Sequence, residues 1–327
     1  ERERGRNGSS PCRRPLTHSA RALSRARAPA GGAAMAKRKR EHDFSHLLPP
    51  HWKNCIDQWL QEDIPSFDIG GFVVGEDPKA AKLFTKTSGV LCGCAFFDAV
   101  FEKLGGCEVE WLFEEGDFID ASQGKVVTAR VRGPARKVLL GERTALNILS
   151  RASGVATVTR KAVEAAKRER WHGMVAGTRK TTPGFRLVEK YALLVGGAAT
   201  HRDNLSAMVM LKDNHVWATG SITSAVAKAK VCVGFSMKIE VECSSEAEAM
   251  EACKAGADVV MLDNFKPADL HEVAKHVKSS YPHVTIEASG GITEATLASF
   301  LGPHIDVVSK SFHQGYECID FSLKIDH

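Results

Sequence analysis

The stretch "MKIEVECSSEAEAMEACKAGADVVMLDNF", residues 237–265, states the rule by which most of this chain folds. "MKIEVEC" is a short β-like run. "SSEAEAMEACKAGA" then reads as a helix opened by a capping box, with the Ser245 hydroxyl taking the third helical amide and Glu248 reaching back. "DVVMLD" is a second strand. Strand, helix and strand in this order make a parallel pair, because a crossover helix is what joins two parallel neighbours.

Working outward, the same grammar recurs in "GMVAGT", "AMVMLKD", "VTIEAS" and "DVVS". Helices separate the runs, among them "KPADLHEVAKHVKSSYP", where Pro267 suits a first turn. Six strands are legible. Nearly continuous apolar strands are buried on both faces, so the sheet is parallel, open or closed into a barrel. Residues 45–150 read differently, as an α+β region with a helix in "HWKNCIDQWLQED" and strands in "GCEVEWLF" and "KVVTARVRGP". "RKVLLGERTALNILSRASGVATVTRKAVEAAKRE" follows as one long helix, with Ser153-Gly154 as a weak or closely packed point.

The polar residues indicate which end of the sheet matters. Arg179-Lys180, Lys212-Asp213, Glu240 and Glu242, Asp263, Ser289-Gly290-Gly291 and Ser309 all lie at or just after strand C-termini. In a barrel of α/β units those ends converge on one mouth, where active sites are built. "VAGTRKTTPG", residues 175–184, brings two adjacent cations there. With His201, Arg202 and Lys212 they would select an anion, arginine suiting the fork of a carboxylate. The glycine turn in "EASGGIT" allows backbone amides to approach a phosphate. Glu240, Glu242 and Asp263 suit Mg²⁺ held through diphosphate oxygens, or a cationic sugar centre. Two other readings stay open: a salt-bridge ladder of one acid with Lys238, and a Schiff-base lysine at Lys180 or Lys212.

Composition narrows the class. With 43% hydrophobic and 25% charged residues, the 327-residue chain is an ordinary globular one. No apolar run reaches the roughly 18 residues of a membrane span. Of the net charge of +5, residues 1–34 hold more than all: eight arginines against two glutamates. The nearly neutral remainder excludes a broad nucleic-acid footprint. The leader is read as a disordered segment outside the native protein, with Met35 as the working start; a transit peptide is the alternative, and "KRKR" is a solvated charge run or a nuclear signal. Nine cysteines without a CxxC pair fit a reduced, cytoplasmic chain, with Cys92 and Cys94 as buried thiols.

"GTRKTTPGFRLVEKYALLVGGAATHRDNLSAMVMLKDNH" resembles the signature of the quinolinate phosphoribosyltransferase family, in its vertebrate-type form. "GVLCG", "GERTALNILSRASGVAT", "KIEVECSS", "MLDNF" and "EASGGI" support it in order, over residues 45–309. The resemblance implies transfer of phosphoribose from phosphoribosyl pyrophosphate to the nitrogen of quinolinate, with loss of CO₂ and formation of nicotinate mononucleotide. It implies an α/β fold: a sandwich-like N-terminal domain (35–150), an open seven-stranded α/β barrel (151–310) and a C-terminal segment (311–327) returning to the first domain.

Residue by residue, Arg179, His201, Arg202 and Lys212 match the family's quinolinate clamp, completed by Arg143 from a neighbouring subunit of a dimer or hexamer. Lys180, Glu242 and Asp263 match the groups at the reacting sugar and its diphosphate-bound Mg²⁺. Ser289, Gly290 and Gly291 match the phosphate loop. The chain departs from the family at 310–319, where Ser311 stands at an expected glycine and would obstruct close backbone approach to the phosphate.

Overall fold

The computed structural model describes residues 43–326. The leader, Met35 and the "KRKR" cluster lie outside them. Helices α1 (Asn54–Asp63) and α2 (Ile69–Val74) precede β1 (Pro78–Thr85), the short β2 (Gly89–Val90), α3 (Cys94–Leu104), β3 (Glu108–Trp111), β4 (Phe118–Ile119) and β5 (Val126–Pro134). The 34-residue α4 (Ala135–Arg168) follows. Then come β6 (Met174–Ala176), α5 (Arg186–Gly196), β7 (Val209–Leu211), α6 (Asp213–Thr219), α7 (Ile222–Val233), β8 (Ile239–Cys243) and α8 (Glu246–Ala255). The chain ends with β9 (Val259–Asp263), α9 (Pro267–Ser280), β10 (Thr285–Ser289), α10 (Leu297–Phe300), β11 (Val307–Ser309) and β12 (Phe321–Ile325). No helix among the described residues is long and apolar enough to cross a membrane.

The strands form two principal sheets. One is parallel, ordered β6-β11-β10-β9-β8-β7. The other is antiparallel, ordered β12-β1-β5-β3, so the C-terminal segment does return to the N-terminal sheet, Leu83 opposite Leu323. The boundary expected at residue 150 falls inside α4, which runs unbroken through it.

Six strands were legible and six are hydrogen-bonded as a sheet. The seventh barrel position is a single bridge, Ala176 to Ala199, with the Ala199 amide donating to Val175 O and Gly177 to Ala199 O. The reason is local. Gly197, at φ 94°, ends α5 in the left-handed region, and His201 turns left-handed again at φ 58°, so only three residues lie between the two turns and the pairing there is limited to the one bridge.

Local signals set the helices. Ser245 caps α8 as expected, but Glu248 reaches one residue farther, taking both the amide and the hydroxyl of Ser244. Pro267 occupies the first turn of α9. In α4 the Ser153-Gly154 point is closely packed rather than weak. The Ser153 hydroxyl bonds both the amide and the carbonyl of Cys92, at 3.0 and 3.1 Å. A Cβ on Gly154 would lie 2.5 Å from Glu317 O and 2.7 Å from the Tyr316 ring. Farther along, Arg160 donates to the carbonyls of Val195 and Gly196 and so caps α5.

Gly154→Val is therefore expected to lower the unfolding free energy by about 2 kcal/mol through overpacking. Urea denaturation reads this as a lower midpoint, and an unchanged midpoint would show that α4 and the C-terminal segment are loosely packed.

Candidate active site

Side chains alternate along a strand, so residues two apart point the same way. On β7 to β11 this stacks two tiers inside the barrel. Lys212, Glu242, Asp263, Ser289 and Ser309 form the upper tier at the strand ends, and Met210, Glu240, Met261 and Glu287 lie two residues below. The upper tier lines a cavity of about 670 Å³ together with Arg179, Lys180, His201, Arg202, Gly290 and Gly291. Ten of the eleven residues that the resemblance implies for the site thus meet around one space. Arg143 does not join them; it is exposed on α4.

Helix α5 holds the two cationic loops. Its residues Arg186, Glu189 and Lys190, three and four apart, share one face. Glu189, fully buried, accepts from the amide and hydroxyl of Thr182 at 2.9 and 2.8 Å; burial pushes its carboxyl up and the Thr182 bonds oppose this. Arg186 donates to the Thr181 hydroxyl and to Asp203 O, joining the 178–182 loop to the 200–203 loop. Arg179 and Arg202 then face the cavity, and among the described residues neither has a carboxylate within ion-pair distance. Burial lowers the Arg202 pKa, and the Arg179 charge lowers it further. Two adjacent guanidiniums without an internal counter-ion are a site for an added anion.

Lys212 is committed to Glu242 by an ion pair, which leaves the Lys238 ladder unbuilt. Asp263 stands on the next strand, its pKa raised first by burial and then by the charge of Glu242. These facing carboxylates are at the strand ends where a cation or a developing positive centre would be stabilised. On the other side, Gly290 and Gly291 adopt φ 88° and 63°. A Cβ on Gly290 would lie 2.3 Å from the Asn264 side chain, so this turn requires glycine on both counts.

The lower tier engages one of the assigned residues and adds another. His201, read as a cation of the clamp, has both ring nitrogens engaged. Nδ1 accepts from the Arg202 amide at 2.7 Å, so the proton sits on Nε2, which donates to Glu287 at 3.0 Å. The ring thus braces the backbone of Arg202, and with Glu240 and Glu287 it also forms a compact group of donor atoms of the kind that can hold a metal ion. Glu240 is fully buried below the cavity. Burial, then the neighbouring Glu287, holds its carboxyl far above the usual range, so the pair retains a proton. Glu287 escaped the sequence reading, and the available signal was its place two residues before Ser289.

Comparison with known proteins agrees with this geometry. Residues 68–153 match the family described as "Quinolinate phosphoribosyl transferase, N-terminal domain", and 155–324 match its C-terminal domain. The chain belongs to the quinolinate phosphoribosyltransferase family. It is 51% identical over 297 residues to "Nicotinate-nucleotide pyrophosphorylase [carboxylating]" of Dictyostelium discoideum, covering 86% of this chain and 99% of that one. Against the Homo sapiens protein of the same name it is 52% identical over 281 residues, covering 85% and 93%. Among solved structures, NadC from Streptococcus pyogenes superposes with a TM-score of 0.77 at 36% identity, covering 86% of this chain and 99% of that one.

Within this quinolinate phosphoribosyltransferase the departing segment 310–319 is built into the cavity wall. Ser311 is not in the left-handed region that would call for glycine. Its hydroxyl is 2.9 Å from that of Thr178, and His313 Nε2 donates to Thr178 O at 3.0 Å. The altered residues therefore anchor the position just before Arg179. Lys310, Ser311 and Gln314 line the cavity as well.

Burial depresses the His313 pKa from 6.5 to about 4. The folded state therefore refuses a proton that the unfolded chain accepts, and stability present above pH 6.5 is lost as pH falls towards 4. His313→Gln should flatten this part of the melting-temperature profile between those two pH values; an unaltered profile would assign the acid sensitivity elsewhere.

Proposed function

We propose that this protein transfers phosphoribose from phosphoribosyl pyrophosphate to the ring nitrogen of quinolinate and decarboxylates the product, giving nicotinate mononucleotide, diphosphate and CO₂ for NAD synthesis. The observation that carries this reading is the pair of uncompensated guanidiniums, Arg179 and Arg202, sharing one cavity with the Ser289-Gly290-Gly291 turn. One side suits a dicarboxylate and the other a sugar phosphate. The names of the relatives at 51 and 52% identity point the same way.

In this reading the ring nitrogen attacks C1′ as the C1′–O bond breaks and diphosphate leaves with the electron pair. A pyridine flanked by carboxylates is a poor nucleophile, so orientation does much of the work. Glu242 and Asp263 stabilise the positive charge developing on the ribose. As oxygen donors at the cavity mouth they also suit a Mg²⁺ carried by the diphosphate, which would neutralise charge on the leaving group. The C2–carboxylate bond then breaks, the electrons remain on C2 beside the pyridinium nitrogen, and Lys180 supplies the proton that replaces CO₂. Lys212 is engaged by Glu242 in an ion pair, which disfavours a Schiff-base role.

The protein is proposed to act as a cytoplasmic dimer or hexamer, with Arg143 of one subunit completing the clamp of another. Phe67, Ile69, Phe72 and Val73 are exposed on and beside α2, which packs on α4 near Arg136. A second subunit covering that apolar face would meet the helix that bears Arg143.

The deciding experiment is release of labelled CO₂ from 2-carboxyl-labelled quinolinate with Mg²⁺, with and without phosphoribosyl pyrophosphate. Sugar-dependent release is expected; none, from protein that binds quinolinate, would favour a catalytically impaired subunit. Arg202→Ala should raise the quinolinate KM about tenfold or more with little change for the sugar substrate. Glu242→Ala should instead depress kcat, and equal losses for both substrates in Arg202→Ala would undo this partition of the cavity.

A further inference from the structure

Lys190 is a buried cation for which the proposed reaction has no use. It lies on α5, 4% exposed, and no carboxylate among the described residues pairs with it. Its ammonium donates instead to two backbone carbonyls, Thr200 O and, at 3.2 Å, Arg202 O. These carbonyls flank His201, whose φ of 58° is left-handed and uncommon for a side chain of that size. Both carbonyls accept from the same ammonium, whose three donors can satisfy them together.

The backbone of Arg202 is thereby held on both sides. Its amide donates to His201 Nδ1, and its carbonyl accepts from Lys190. The other ring nitrogen of His201 is tied to Glu287. The side chain of Arg202 extends from this held backbone and lines the cavity. We propose that Lys190 is a positioning residue: its ammonium holds the left-handed turn at His201 and so aims Arg202 at the substrate carboxylate. This rests on the reading of the cavity as a quinolinate site.

A titration follows from the same arrangement. The charged groups facing Lys190 are Arg186 on its own helix, Arg179 after β6, Arg202 and Asp203 on the turn it holds, and His313 from the C-terminal segment. Burial, and then three guanidiniums opposed only by Asp203, push its pKa down to about 8. The clamp is therefore complete below that pH and is lost as pH rises through it. Global stability does not fall in step, because between pH 8 and 10.5 the folded state binds fewer protons than the unfolded chain and linkage favours folding. A dianion bound beside Lys190 would hold its proton on, so quinolinate binding above pH 8 should take up protons.

The test is calorimetric titration of the full-length protein with quinolinate from pH 6.5 to 9.5, in buffers of different ionisation enthalpy. Wild-type affinity should be level to about pH 7.5 and then fall, with proton uptake growing over the same range. Lys190→Met should weaken quinolinate binding about tenfold even at pH 7, while the KM for phosphoribosyl pyrophosphate changes by less than about twofold. Lys190→Arg, which does not titrate there, should restore much of that affinity and remove the alkaline fall.

A wild-type profile that is flat to pH 9.5 without proton uptake overturns the assignment and needs no variant to fold. So does an alkaline fall that persists in Lys190→Arg, or a Lys190→Met protein that binds like wild type. Wild-type protein that binds no quinolinate at pH 7 overturns the functional reading itself, a separate outcome from these.

Discussion

Everything at the mouth of this barrel depends on the buried parallel strand. Such a strand has no solvated face, so a polar side chain on it is either satisfied inside or placed at the end. The alternation of side chains then makes two tiers of each inward face. The upper tier lines the cavity. The lower tier lies in a dry interior, which is why Glu240, only two residues from Glu242, behaves so differently: one carboxylate is ion-paired with Lys212, and the other retains a proton beside Glu287.

The second organising element is the pair of long-range helical supports. α4 belongs to both parts of the fold, bonding the Cys92 backbone through Ser153 and capping α5 through Arg160. α5 in turn holds the 178–182 loop through Glu189 and the 200–203 turn through Lys190. Loops that bear catalytic charge are precise only when a rigid element fixes their backbones. Here the fixing groups, Glu189 and Lys190, are themselves buried, and burial shifts the pKa of each towards its neutral form.

The segment 310–319 shows how a departure from a family pattern can be accommodated. A serine in place of an expected glycine looks like an obstruction when only sequence is considered. In the fold its hydroxyl meets Thr178, and His313 meets the carbonyl of the same residue. The departing residues pack into the cavity wall beside Arg179.

Much of this was legible in the order of residues. Period-two and helical patterns, the serine cap at Ser245 and Pro267 are local signals, and they determined the alternating elements and the end of the sheet at which charge collects. The convergence of Arg179, Lys212, Glu242, Asp263 and Ser289 followed from topology alone. The roles of His201, Glu287 and Lys190 did not, because each depends on partners 86, 86 and about 10 residues away whose distance and burial are properties of the packed chain. The sequence by itself determined which groups reach the mouth. Tertiary structure decided which of them remain charged, since burial and the field of neighbouring groups exist only once the strands and helices have closed around them.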